Sequence, residues 1–206
     1  MQRKIVQRFS NMALVFVAAS ICFACAQKSY IAVDYRLPAE PITLAGRTVF
    51  VETIDLRSDA EIFNKRAKDK FKHFTGLFAL ALDAPDSQQK VIGAYALPLL
   101  FETALKHRLQ QLGVGLAGEP SPTVPTFRIK INCFDINLVG QKWLAEISYE
   151  ASLTQDMQLT ALEVVSGSAE RMKLMGTGDA EKVISEIFTD MINRLNIERL
   201  FQQAKL

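Results

Sequence analysis

Two cysteines three positions apart, Cys22 and Cys25, are the first residues whose types and spacing could carry chemistry. A C-x-x-C pair can cycle between dithiol and disulfide when it sits near a βαβ unit. Here Cys22 lies inside a cleavable apolar run, Met12–Ala24, and Cys25 follows it at once, so redox cycling is not expected. Gly113-x-Gly115-x-x-Gly118 matches the dinucleotide fingerprint in its letters. That fingerprint needs a strand before it and a helix after it, so that a helix N-terminus meets the pyrophosphate. In this chain a helical pattern precedes the glycines and a proline-rich stretch follows. Gly176-Thr177-Gly178-Asp179 does open a helical pattern, but it lacks the Walker lysine, and Asp179 would repel phosphate. His73 and His107 are the only histidines, far apart and without the spacing of a metal site. No G-x-S-x-G elbow is present, and no pair of carboxylates stands out as an acid and its base. Catalytic residues, metal and cofactor are therefore expected to be none, and the chain is read as not an enzyme.

The informative chemistry is that of processing. Residues 1–11 carry Arg3, Lys4 and Arg8 and no acid, and residues 12–24 are apolar or small. A charged n-region, a short apolar h-region and a small-residue junction make a secretory signal peptide. The run is shorter than the roughly 20 residues of a spanning helix. Two processing sites overlap. Ala24-Cys25-Ala26 fits an A-x-A site, giving a soluble periplasmic domain starting at Gln27. Ile21-Cys22-Phe23-Ala24-Cys25 resembles a bacterial lipobox, with Cys22 where leucine is usual. The lipobox implies lipidation of Cys25, palmitate among its acyl chains, and a signal peptide over residues 1–24. Two or three acyl chains anchor stably where one does not. Ala26 rather than an aspartate after the cysteine resembles an outer-membrane sorting signal.

Removing the leader changes the charge balance. Three of the 24 basic residues precede Cys25, leaving 21 against 22 acids and a net charge of −1. No global attraction to nucleic acid follows. With Cys22 removed and Cys25 acylated, Cys133 has no partner, so a disulfide-free domain is expected. The mature chain of about 180 residues is the length of one domain, large enough to bury roughly 70% of its unfolded surface.

The elements that must position any site follow from periodicity. Residues 25–47, with Pro38 and Pro41, read as a lipid-anchored tether, and 48–206 as a single α+β domain. Thr48–Ile54 is rich in β-branched and aromatic residues and predicts the first strand. Residues 60–96 read as a loop with room for a short helix or hairpin. Leu97, Leu100, Phe101, Ala104, Leu105, Leu109 and Leu112 predict a helix over 98–112, with Pro98 in its first turn and Gly113 at its end. Glu102 and Lys106 are spaced as an i,i+4 pair. Alternation predicts strands over 126–138, 142–154 and 158–173, with a phase slip at Cys133 that a β-bulge would produce and a bend at Gly167. Asp179 is the expected N-cap of a second helix, 179–195, and 197–204 a short third. The order β-α-β-β-β-α predicts two layers: a mainly antiparallel four-stranded sheet with two amphipathic helices on one face.

Among internal segments, the basic–aromatic stretch is the candidate surface. Lys65, Arg66, Lys68, Lys70 and Lys72 interleave with Phe63, Phe71 and Phe74. The basic groups could bind lipid headgroups or an acidic partner; equally, they could be a solvated face over inward-packed rings. The other feature is Asp55-Leu56-Arg57-Ser58-Asp59, a D-x-R-[ST]-D pattern directly after the first predicted strand. With the Leu-rich helix ending at Leu112-Gly113, this pattern resembles the YajG-like outer-membrane lipoproteins. More distantly, the chain is similar to auxiliary lipoproteins of envelope ABC-type transport systems. The resemblance implies an envelope lipoprotein whose partners are the membrane, a transport-complex protein or another copy of itself. It assigns no catalytic role to Asp55, Arg57, Ser58 or Asp59. Their expected use is structural: Arg57 pairing with Asp55 or Asp59, and Ser58 or Asp59 capping a turn.

Overall fold

The computed structural model describes residues 29–84, 88–155, 158–174 and 176–206. Cys22, Cys25 and the processing junction lie outside the described residues. The fold is α+β, with two sheets and four helices among the described residues. Residues 30–36, read as tether from sequence, form a strand, β1 (Tyr30–Arg36). Ile31, Val33 and Tyr35 are fully buried and alternate with exposed or half-buried neighbours, so packed structure begins upstream of residue 48. The prolines that suggested a tether lie just beyond this strand.

The segment read as a loop contains three elements. After β2 (Thr48–Asp55) come α1 (Lys65–Lys68) and a hairpin of β3 (Leu77–Asp83) and β4 (Lys90–Tyr95). β1 pairs parallel to β3, which pairs antiparallel to β4. Helix α2 (Leu97–Gln111) follows, with Glu102 and Lys106 paired at 2.7 Å. Gly113 at its end adopts φ +90°, a conformation that glycine reaches without the steric penalty of a Cβ.

The remaining strands are β5 (Gly115–Leu116), β6 (Thr126–Val139), β7 (Lys142–Gln155) and β8 (Gln158–Met172). Together with β2 they build a five-stranded sheet, ordered β5-β2-β6-β7-β8. This corrects the expected four-stranded sheet. β2 runs parallel to both β5 and β6, while β6-β7-β8 is an antiparallel meander. The expected phase slip is present: Ile131 faces Tyr149 but Cys133 faces Ser148, leaving Asn132 as the extra residue of a bulge. That slip keeps Phe134, Ile136 and Leu138 on the buried face with Phe127, Ile129 and Ile131.

Both long helices pack on that face. Helix α3 (Gly178–Arg194) contacts β7, β8 and β1, and α2 contacts β2 and β6. The short α4 (Ile197–Gln203) closes the chain against β7 and β8. Phe101 on α2 is central to the core, edge-on to Phe134, Tyr149 and Phe188 at centroid distances of 6.2, 5.6 and 5.2 Å. The N-cap position of α3 is Thr177, not Asp179. The Asp179 carboxylate instead accepts the Leu174 amide at 2.7 Å, closing the β8–α3 connection. Gly167 sits within continuous β8, where a Cβ would come within 2.5 Å of Met191 on α3. Its role is close helix–sheet approach rather than the expected bend.

Candidate functional site

The D-x-R-[ST]-D turn leaves the end of β2. The Arg57 guanidinium grips Asp55 through two parallel bonds, Nε to Oδ1 at 2.9 Å and Nη2 to Oδ2 at 2.8 Å. This fork holds the Asp55 carboxyl below the usual carboxylate range, chiefly through the Arg57 side-chain bonds. Asp59 accepts the Glu61 amide at 2.9 Å, an Asx turn that redirects the chain toward α1. Ser58 is exposed. Arg57 also lines a cleft of about 550 Å³ with Asp59, Glu61, Phe74 and Leu97. Two acids and apolar walls around one paired arginine make this a structural corner.

From this corner the chain crosses to the basic–aromatic segment. Phe63 bridges to Ile136 on β6, and its ring stacks on Phe71 at 4.9 Å, with Phe74 edge-on at 5.4 Å. Phe71 reaches Trp143, and Phe74 reaches Phe78, so the rings point into the core. The residue that fixes the segment is Asn64, which the sequence reading missed. Its side chain caps α1 by accepting the Ala67 amide at 2.9 Å and donates to the Leu138 carbonyl at 3.2 Å. An asparagine before a short helix is a legible cap, but the β6 contact joins residues more than seventy positions apart.

With the rings turned inward, the cations face water. Lys65, Arg66, Lys68, Lys70 and Lys72 are all exposed. Lys68 pairs with Glu61, and Arg66 donates to the Gly140 carbonyl at 3.4 Å. Among the described residues, Lys65, Arg66, Lys70 and Lys72 have no carboxylate partner. Lys70, Lys72 and His73 border a cleft of about 400 Å³ with Tyr30, Asp69 and Thr177. The structure thus brings the end of the basic segment to the start of β1 and the start of α3. The Asp55–Asp59 turn is not part of that cleft.

Two other groups with chemical potential have pKa values shifted by their surroundings. Burial, with Asp135 and Glu146 nearby, pushes the Cys133 thiol up to about 11. Burial and Lys90 lower the pKa of His107. Cys133 is free, and among the described residues no three metal-capable side chains gather. No helix among them is long and apolar enough to cross a membrane.

No family model matches the chain, and no curated protein matches it either. Solved structures do resemble it. A protein from Xanthomonas campestris described by family DUF330 aligns with a TM-score of 0.51 at 11% identity, over 84% of this chain and 93% of that one. Rare lipoprotein B from Shewanella oneidensis aligns with a TM-score of 0.41 at 8% identity, covering 51% of this chain and 88% of its own. A minor lipoprotein from Acinetobacter baumannii gives 0.38 at 11% identity, over 75% and 95%. The first likeness shows a shared fold; the neighbours include several bacterial lipoproteins.

Proposed function

We propose that this chain is an envelope lipoprotein, anchored by acyl chains on Cys25, which acts without catalysis as a binding or auxiliary component of an envelope complex. The observation that carries this reading is the leader, Ile21-Cys22-Phe23-Ala24-Cys25, after a basic n-region and a short apolar run. The position of β1 supports it. Ser29 lies only four positions after Cys25, so an anchored domain would start almost at the leaflet. Ala26 after the cysteine favours the outer membrane, with the domain in the periplasm. The D-x-R-[ST]-D turn favours a YajG-like or transport-auxiliary role, in which the partner is a transport-complex protein or a second copy.

The competing site, Ala24-Cys25-Ala26, gives a soluble periplasmic protein beginning at Gln27. Intact mass of the mature protein separates the two. Acyl chains on Cys25 add mass and hold the protein in the membrane fraction, and Cys25→Ala should release it. A mature chain starting at Gln27 in the soluble fraction overturns the anchored reading.

A further inference from the structure

One end of the domain gathers everything that lies close to the proposed anchor. β1 starts there, and the Ser29 carbonyl accepts both the Thr75 amide at 2.9 Å and the Thr75 hydroxyl at 2.8 Å. The loop carrying Lys70, Lys72 and His73 borders Tyr30 across the 400 Å³ cleft. The β6–β7 turn and the end of β8 reach the same end. Arg66 donates to the Gly140 carbonyl, Lys173 donates its amide to the Gln141 carbonyl at 2.8 Å, and Lys142 faces Met172 in register. The start of α3 completes it through Thr177. Large apolar side chains stand in the open beside these cations: Leu174 is 80% exposed and Met172 51%. Lys142 is paired with Glu170 at 2.6 Å, whereas Lys70, Lys72 and Lys173 have no carboxylate partner among the described residues. Exposed apolar groups beside such lysines match a lipid interface, where apolar tips enter the headgroup layer and ammonium groups meet phosphate.

The tether fixes which surface that layer can reach. Four residue steps span at most about 14 Å when fully extended. The surface field of an anionic leaflet decays over about 8 Å at physiological ionic strength. The end bearing Lys70 and Lys72 is therefore held near that field, while the opposite end of the domain is a strand length away.

We propose that this end of the domain, with Lys70, Lys72 and Lys173 around Met172 and Leu174, docks on anionic phospholipid headgroups of the leaflet that holds the Cys25 acyl chains. The proposal rests on acylation of Cys25. Docking fixes the orientation of the domain: the outer face of the five-stranded sheet and the far loops stand free for a protein partner.

The test uses the mature protein as the cell makes it, carrying Leu174→Trp and reconstituted into phosphatidylcholine vesicles with or without phosphatidylglycerol. Trp143 is fully buried and supplies a constant background, checked with the unsubstituted chain. Intact mass is read first. Emission from the introduced indole should shift to the blue when phosphatidylglycerol is present, and the shift should vanish in high salt. Lys70→Gln and Lys72→Gln should each lower the docked-to-free ratio by about fivefold. Arg47→Gln with Lys90→Gln, at the far end, should leave it unchanged. An acylated mass with indole emission indifferent to headgroup charge overturns docking and leaves the anchor standing. An unacylated chain starting at Gln27 overturns both. Equal loss with the far-end variant overturns the assignment of the surface.

Discussion

The Ser185 hydroxyl oxygen accepts the Asp34 amide hydrogen at 2.9 Å, one rung of a ladder along the open edge of β1. Glu181 accepts from the Ala32 amide at 3.3 Å, and Thr189 accepts from the Arg36 amide at 3.3 Å and donates to the Asp34 carbonyl at 3.2 Å. Asn193 closes the ladder by donating to the Arg36 carbonyl at 2.9 Å. The helix residues recur every four positions and the strand residues every two. Four helical residues rise about 6.0 Å and two strand residues about 6.6 Å, so the two periods nearly coincide. An unpaired strand edge invites pairing with another chain. Here a helix lying alongside supplies the missing partners from its side chains.

Replacing Ser185 and Thr189 together by alanine should therefore expose the edge. Each lost bond lies near solvent, so about 1 kcal/mol of stability per site is expected, read as a lower urea midpoint. Amide exchange should quicken at Asp34 and Arg36 and not in β6. Unchanged exchange at those amides would remove the edge-guard argument.

Arg108 ties the other end of the same helix. Its guanidinium is buried, donates to the Leu195 carbonyl at 2.8 Å and to that of Ile192, and pairs with Glu40 at 2.8 Å. It therefore joins α2, the end of α3 and the segment after β1. Arg108→Ala strands a carboxylate and two carbonyls, and should cost about 3–5 kcal/mol in chemical denaturation. Glu40→Gln keeps an acceptor for the arginine and should cost markedly less. Equal losses would mean that the charge, not the geometry, holds this junction.

Some of this was legible in the chain. The α2 and α3 stripes, the meander over 126–172 and the slip at Cys133 follow from periodicity alone, because each element meets one core face. β1 was readable as Tyr30-Ile31-Ala32-Val33-Asp34-Tyr35, but its partner β3 lies more than forty residues away behind an irregular segment. The sheet order was hidden for the same reason: β2 neighbours β6 across two helices, the short β5 and a hairpin that belongs to the other sheet. Asp179 shows the limit of local rules. It is a good cap by type, but its carboxylate satisfies an amide in the preceding turn.

Two glycines should respond differently to alanine. At Gly113 the positive φ strains any side chain, and a Cβ would also meet the Ile42 Cγ2 at 2.6 Å and the Ala45 backbone at 3.2 Å. At Gly167 the clash is with the end of the Met191 side chain, which can rotate. Gly113→Ala should thus lower stability by about 1–3 kcal/mol and Gly167→Ala by less. Gly167→Val should restore a large loss by overpacking. Thermal midpoints of the three variants check the order.

Acid should weaken the Asp55–Arg57 corner with a definite sign. The folded pKa of Asp55 is depressed, so its contribution is complete above the ordinary carboxyl value of about 3.9 and fades as pH falls through the lower folded value. The stability difference between the unsubstituted chain and Asp55→Asn should be constant from pH 7 to 5 and shrink below about pH 4. A difference that grows on acidification would contradict the pairing.

Cys133 offers a chemical probe of the neighbouring face. A thiol raised to about 11 is almost wholly protonated at pH 8, and its reactivity falls although its thiolate is the stronger nucleophile. Alkylation should run about tenfold slower than for an unperturbed cysteine. Asp135→Asn removes one of the two carboxylates that oppose ionisation and should speed it.

The basic–aromatic segment should separate into two functions under mutation. Phe71 stacks on Phe63 and meets Trp143, so Phe71→Ala removes contacts on both sides of the segment and should cost about 3 kcal/mol. Lys65, Arg66, Lys70 and Lys72 are exposed, and neutralising all four to glutamine should leave stability within about 0.5 kcal/mol of the unsubstituted chain in urea denaturation. A substantial loss from the quadruple variant would show that the cations belong to the fold. Unchanged stability frees them for contacts outside the chain, because exposed charges that stabilise nothing internally are available to a surface facing them.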